Sequence, residues 1–211
     1  WYESPRIAAD IADVRRIYGK LISAPGTSWS PSMAVLIDEQ GSLASIAQKE
    51  AGRDFNAYHA MLASSGVPYG QFLADDVLAD ASALDGVRVV VWFGLRNGGD
   101  SVRKAFLARL KSRGVRVILP EELRHLTGRR LHGIALEAGA YVPCGKYGLQ
   151  VDMNGNFISV HCLRTGHYDF VLPFKADVTN LKTGKRMPAM RSLTLDVTGG
   201  ETRWYALNEI K

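Results

Sequence analysis

Residues 87–120, VRVVVWFGLRNGGDSVRKAFLARLKSRGVRVILP, decide the fold. The run VRVVVWFG (87–94) is nearly all apolar, as a strand buried on both faces of a parallel sheet requires. In SVRKAFLARLKSRG (101–114), Phe106, Leu107 and Leu110 recur at helical spacing among Lys and Arg, which predicts an amphipathic helix closing at Gly114. VRVILP (115–120) then predicts a second strand. Strand, helix and strand at this spacing describe a right-handed crossover between parallel strands.

The same alternation extends upstream. MAVLID (33–38) reads as a short buried strand, FNAYHAMLASSG (55–66) as a helix with Phe55, Tyr58, Met61 and Leu62 on one face, and VPYGQFLADD (67–76) as a strand. Downstream, EELRHLTG (121–128) and RRLHGIALEAG (129–139) read as two short helices. Residues 33–138 are therefore expected to form an α/β unit, flavodoxin-like in size. Before it, Ile7, Ile11, Val14, Tyr18 and Leu21 make an apolar stripe behind Ser4-Pro5, so residues 1–32 are expected to hold an amphipathic helix and a Ser/Pro/Gly-rich linker, SAPGTSWSPS (23–32).

Near residue 140 the period changes from helical to alternating. YGLQVDMNGNFISVHCL (147–163) predicts a hairpin about Asn154-Gly155, a dipeptide suited to a type I′ turn. YDFVLPF, ADVTNL, SLTLDV and TRWYALNEI follow between Gly-containing turns. About six short strands predict a small antiparallel β-sandwich over residues 139–211.

The composition narrows the function classes. In 211 residues, 46% are hydrophobic and 22% charged, the balance of a globular protein, and no apolar run approaches the roughly 20 residues of a membrane-spanning helix. Because residue 1 is Trp, the chain is expected to be a processed product or a segment of something longer. Cys144 and Cys162 lack zinc-type spacing; they read as buried thiols, with a disulfide left open if the protein is exported. The net charge of +5 is uneven: Arg103, Lys104, Arg109, Lys111, Arg113, Arg116, Arg124, Arg129 and Arg130 face only Glu121 and Glu122 in their stretch, which raises a nucleic-acid or anion reading. Solvated helix faces are the simpler account.

A flavodoxin-like enzyme would work in the crevice at the carboxyl ends of its strands. The candidate residues there are Asp38, Glu39 and Ser42 after the first strand, and Arg96 and Asn97 after the third. Adjacent carboxylates on one strand end do not straddle a bond, the first loop lacks a flavin-phosphate cradle, and GLRNGGD (94–100) has neither dinucleotide nor P-loop spacing. A nucleophile elbow would need Cys or Ser where Leu95, Arg96 and Asn97 stand. No catalytic residue, metal or cofactor is assigned. The five histidines are scattered and read as surface or satisfied core residues; Trp29, in the linker, is the one candidate for an exposed aromatic platform.

The segments SPSMAVLIDE (30–39), GVPYGQFLADD (66–76) and VVVWFGL (89–95), followed by EAGAYV (137–142), NGNFISVH (154–161), FVLPFKADVTNLKTGK (170–185) and GGETRWYAL (199–207), together resemble the region after the catalytic barrel in glycoside hydrolase family 42 β-galactosidases. That resemblance covers nearly the whole chain. It implies a flavodoxin-like trimerisation domain, akin to glutamine amidotransferases without their nucleophile, followed by a C-terminal β domain. It further implies that the catalytic (β/α)₈ barrel and its two glutamates lie outside this sequence, and that the chain serves packing against that barrel or between copies in a homo-oligomer. Two alternatives stand beside it: a small-molecule enzyme using the strand-end crevice, and a basic module for nucleic acid or anions.

Overall fold

The computed structural model describes residues 4–22, 27–37, 51–93 and 100–211. Its first half is built on four parallel strands, β1 (Met33–Ile37), β2 (Gly70–Leu73), β3 (Val89–Phe93) and β4 (Arg116–Ile118), in the order β2-β1-β3-β4. Helices α1 (Pro5–Ile22), α2 (Ala51–Ser64), α3 (Ala74–Ala79), α4 (Asp100–Ser112), α5 (Pro120–Leu123) and α6 (Gly128–Glu137) complete it, with a 3-10 turn at Ala81–Leu84. Because successive side chains of a strand point to opposite faces, the apolar runs of β1 and β3 divide. Met33, Val35, Val89 and Val91 join Met61 and Leu62 of α2 and Leu131, Ile134 and Ala135 of α6. Ala34, Leu36, Val90 and Trp92 join Val77 of α3, Leu84, and Phe106 and Leu110 of α4. Continuous hydrophobicity in these strands is thus explained by a core on each side of the sheet.

One strand is shorter than its sequence predicts. Of VPYGQFLADD only Gly70–Leu73 pairs with β1, and α3 begins at Ala74. Asp75 and Asp76 stand in that helix's first turn, where carboxylates are favoured by the exposed amides, and Ala74 and Val77 bury at helical spacing. Helix α4 is followed by Gly114 at φ 72°, as its sequence predicts.

The second half is a single antiparallel sheet of five strands, β5 (Leu149–Asn154), β6 (Phe157–Cys162), β7 (Gly166–Asn180), β8 (Arg186–Val197) and β9 (Thr202–Glu209), in the order β5-β6-β9-β7-β8. YDFVLPF and ADVTNL form one 15-residue strand rather than two. Its pairing with β8 shifts register between Val171 and Ala176, around Pro173, which has no amide to donate. The first part of β7 pairs only with β8, and the part from Ala176 lies between β8 and β9. Tyr168, Phe170, Leu172 and Phe174 nevertheless enter the same buried cluster as Val151, Ile158, Val160, Leu195, Tyr205 and Leu207. No helix lies between Ala138 and Lys211, and this one buried cluster draws on all five strands, with Trp29 and Tyr141 packed against it; the expected sandwich is thus a single sheet. In the first hairpin the turn sits one residue later than predicted: Asn154 pairs with Phe157, and of the loop residues Gly155 and Asn156 only Gly155 has a positive φ, 55°. One positive φ, at the first central position, excludes type I′ and fits type II′.

The described part of the segment expected to be a plain linker, residues 27–32, is a strap. The Ser28 amide and hydroxyl donate to Glu209 at 2.8 and 2.5 Å, Trp29 packs on the antiparallel core, and the Tyr141 amide donates to Ser32 Oγ at 2.6 Å. Helix α1 rests on the molecule by one edge. Ile17 is buried and Arg16 donates to the Leu181 carbonyl at 3.2 Å, whereas Ile11, Val14 and Tyr18 are 40%, 58% and 63% exposed.

Candidate functional site

Asp38, Glu39, Ser42, Arg96 and Asn97 all lie outside the described residues. What is defined is the platform they follow. Ile37 and Phe93 are paired at the ends of β1 and β3, and β2 and β3 flank β1 on opposite sides. That reversal of direction is a topological switch point, the place where open α/β sheets carry their crevices. Immediately before it, Trp92 is 1% exposed and meets Phe106 edge-on at 5.4 Å; its indole N–H is buried without a hydrogen-bond partner among the described residues. Trp92 is a core residue, as its apolar strand implies.

The remaining candidates resolve into structural roles. Trp29 is not an exposed platform but a half-buried contact between the strap and the antiparallel core. Cys144 and Cys162 are both free, buried thiols; burial pushes the Cys144 thiol up, and Cys162 donates to the Arg164 carbonyl at 2.9 Å. A protonated, enclosed thiol is a poor nucleophile. The Tyr141 phenol is likewise pushed up by burial and stays a donor, to the Val171 carbonyl at 2.7 Å. Among the described residues no three His, Cys, Asp or Glu side chains are grouped to hold a metal.

The basic stretch separates in space. Helix α4, carrying Arg103, Lys104, Arg109 and Lys111, packs on one face of the parallel sheet, and α6, carrying Arg129 and Arg130, packs on the other. Arg113 pairs with Asp85 at 2.6 Å, Arg116 with Glu122, and Arg130 with Glu137 at 3.5 Å. A run of charge in sequence is therefore not one surface.

Several polar groups converge where the halves meet. His132 of α6 is 6% exposed; its Nδ1 is 2.8 Å from the Ser65 carbonyl and its Nε2 3.2 Å from the Gly145 carbonyl. Its ring meets the edge of Tyr147 at 6.0 Å, and Arg129 and Arg164 stand 5.5 and 5.7 Å from the centre of that same tyrosine. Lys146 lies 5.1 Å from the centre of Tyr168. The histidine count gives no sign of this, because the partners are backbone carbonyls from distant segments.

Compared as a sequence, the chain matches no family profile and no curated protein. Compared as a structure, it is similar to the β-galactosidase of Bacillus circulans sp. alkalophilus, at TM-score 0.56 and 11% identity over 96% of this chain and 45% of that one. The β-galactosidase of the psychrophilic Marinomonas ef1 aligns at TM-score 0.46 and 12% identity, over 95% of this chain and 41% of that one. An exo-carrageenase of glycoside hydrolase family 42 from Bacteroides ovatus aligns at TM-score 0.41 and 12% identity, over 84% and 29%. The chain spans less than half the length of these structures. The likeness to the Bacillus circulans enzyme is one of fold: a parallel α/β sheet followed by an antiparallel sheet, together covering part of a larger glycoside hydrolase.

Proposed function

We propose that this chain is the non-catalytic C-terminal region of a β-galactosidase-like glycoside hydrolase, with residues 33–138 and 139–211 as its two domains and packing between subunits or against a catalytic barrel as its role. The observation that carries the reading is helix α1. Eighteen residues long, it leaves Ile11, Val14 and Tyr18, the centre of its apolar stripe, in solvent while its edge residue Ile17 is buried. An apolar stripe of this kind is normally covered. The fold likeness to part of a longer β-galactosidase supports the same reading.

The test is light scattering over a range of concentrations on this chain and on V14D and Y18D. Concentration-dependent association that both variants abolish is expected. A monomer at high concentration removes packing between subunits, and turnover of an aryl galactoside that survives repurification removes the non-catalytic assignment.

A second reading, a small-molecule enzyme, draws on one observation: β1 and β3 end side by side at the switch point, just before the segments that contain Asp38, Glu39, Ser42, Arg96 and Asn97. The nucleic-acid reading loses its basis once the basic stretch divides between opposite faces.

A further inference from the structure

Five arginines of the described surface are paired with carboxylates: Arg16 with Asp13, Arg113 with Asp85, Arg116 with Glu122, Arg130 with Glu137 and Arg203 with Glu201. Arg129, Lys146 and Arg164 are exposed, come from three separate segments, and have no such partner among the described residues. Arg129 and Arg164 stand over Tyr147, and Lys146 lies over Tyr168 with its Nζ donating to the His167 carbonyl at 3.5 Å. We infer that Arg129, Lys146 and Arg164 form a binding site for an oxyanion, meaning a sulfate, phosphate or carboxylate group, at the junction of the two sheets.

Three physical arguments support the assignment. A guanidinium over an aromatic ring uses its flat face and leaves its in-plane N–H donors for a ligand, and that fork matches oxyanion geometry. Tyr147 is itself held, half-buried, against the His132 ring. The cations are thus partly positioned before a ligand arrives, which lowers the ordering cost of binding. Behind them, the His132 ring is fixed between two carbonyl oxygens, 2.8 Å from Nδ1 and 3.2 Å from Nε2. The three like charges in front of it repel one another, and an anion among them relieves the repulsion.

Calorimetric titration at low ionic strength, using inorganic sulfate, inorganic phosphate, glucuronate and galactose 6-sulfate as separate probes, tests the site. Saturable binding of at least one probe at one site is expected. In R129Q/R164Q affinity falls about tenfold or more, the loss of one or two charge-assisted hydrogen bonds. K104Q/K111Q, on the opposite face of the parallel sheet, leaves it unchanged. Tighter binding of a sugar acid than of the inorganic ions identifies an acidic carbohydrate as the source, and equal binding identifies the free ion; either result supports the site. No saturable binding of any probe overturns it, as does binding that survives R129Q/R164Q or falls equally in K104Q/K111Q. All four substituted side chains are exposed, so the variants keep the fold.

Discussion

Glu209 shows how one carboxylate ties the strap to the last strand. The Ser28 hydroxyl donates to it at 2.5 Å and the Ser28 amide at 2.8 Å, in that order the main reasons its carboxyl is held below the usual range. A group whose folded value is depressed contributes stability above its ordinary value, about 4.3 for a glutamate, and loses it as pH falls through the folded value. E209Q is therefore expected to unfold more easily than the parent at pH 7, with the gap closing as pH falls below 4. Chemical denaturation of both proteins at several pH values measures this, and a gap that stays constant refutes it. Being fully exposed to solvent, the pair acts as a weak fastener. A residue near the junction is of the opposite kind: His132 buries its Nδ1 against the Ser65 carbonyl, where loss of the partner strands a polar group without water.

At the scale of elements, α2 and α6 of the parallel half approach closely. A side chain at Gly128 would collide with Ser64 Oγ and come within 3.0 Å of the Met61 carbonyl, so these helices meet on the bare backbone of a residue at the start of α6. G128A is expected to destabilise the protein by about 1–3 kcal/mol, the range for forcing atoms into a packed interior. Urea denaturation checks it; an unchanged midpoint would mean that the helices separate freely. The element with the opposite character is α1, whose Ile11, Val14 and Tyr18 are left in solvent while every other helix whose side chains are described contributes to a core on the sheet. Helix propensity and periodicity fix that α1 forms. They say nothing of what its stripe meets.

The whole molecule is held together by contacts between segments far apart in the chain. Trp29 enters the antiparallel core from the strap, Tyr141 bonds to Ser32 and to Val171, and His132 of the parallel half bonds to Gly145 just before β5. The two sheets are therefore expected to unfold in one cooperative transition, and W29A to lower the stability of that transition by about 2 kcal/mol, at the low end for truncating a large apolar side chain that is only half-buried. Scanning calorimetry decides the matter, since two separated transitions in the parent would show that the strap couples nothing.

The sequence by itself determined the alternation of strands and helices through Ile118, the change to antiparallel pairing past residue 140, and the amphipathic character of α1. These are legible because a period of 3.6 or 2 is a local property of neighbouring residues. Two readings failed locally: β2 stops at Leu73 because Asp75 and Asp76 favour a helix start, and the hairpin turn moves to Gly155-Asn156 because strand pairing extends to Asn154 and Phe157. The crevice residues Asp38, Glu39, Ser42, Arg96 and Asn97 were named from strand order alone, and the paired ends of β1 and β3 are the described part of that argument. Only tertiary structure decided that the basic stretch divides between two faces, that the linker is a strap, and that Arg129, Lys146 and Arg164 surround two tyrosines in front of a buried histidine. Each depends on which distant segments the cores bring together, and the long-range packing that sets those neighbours leaves no periodic mark on the residues it joins.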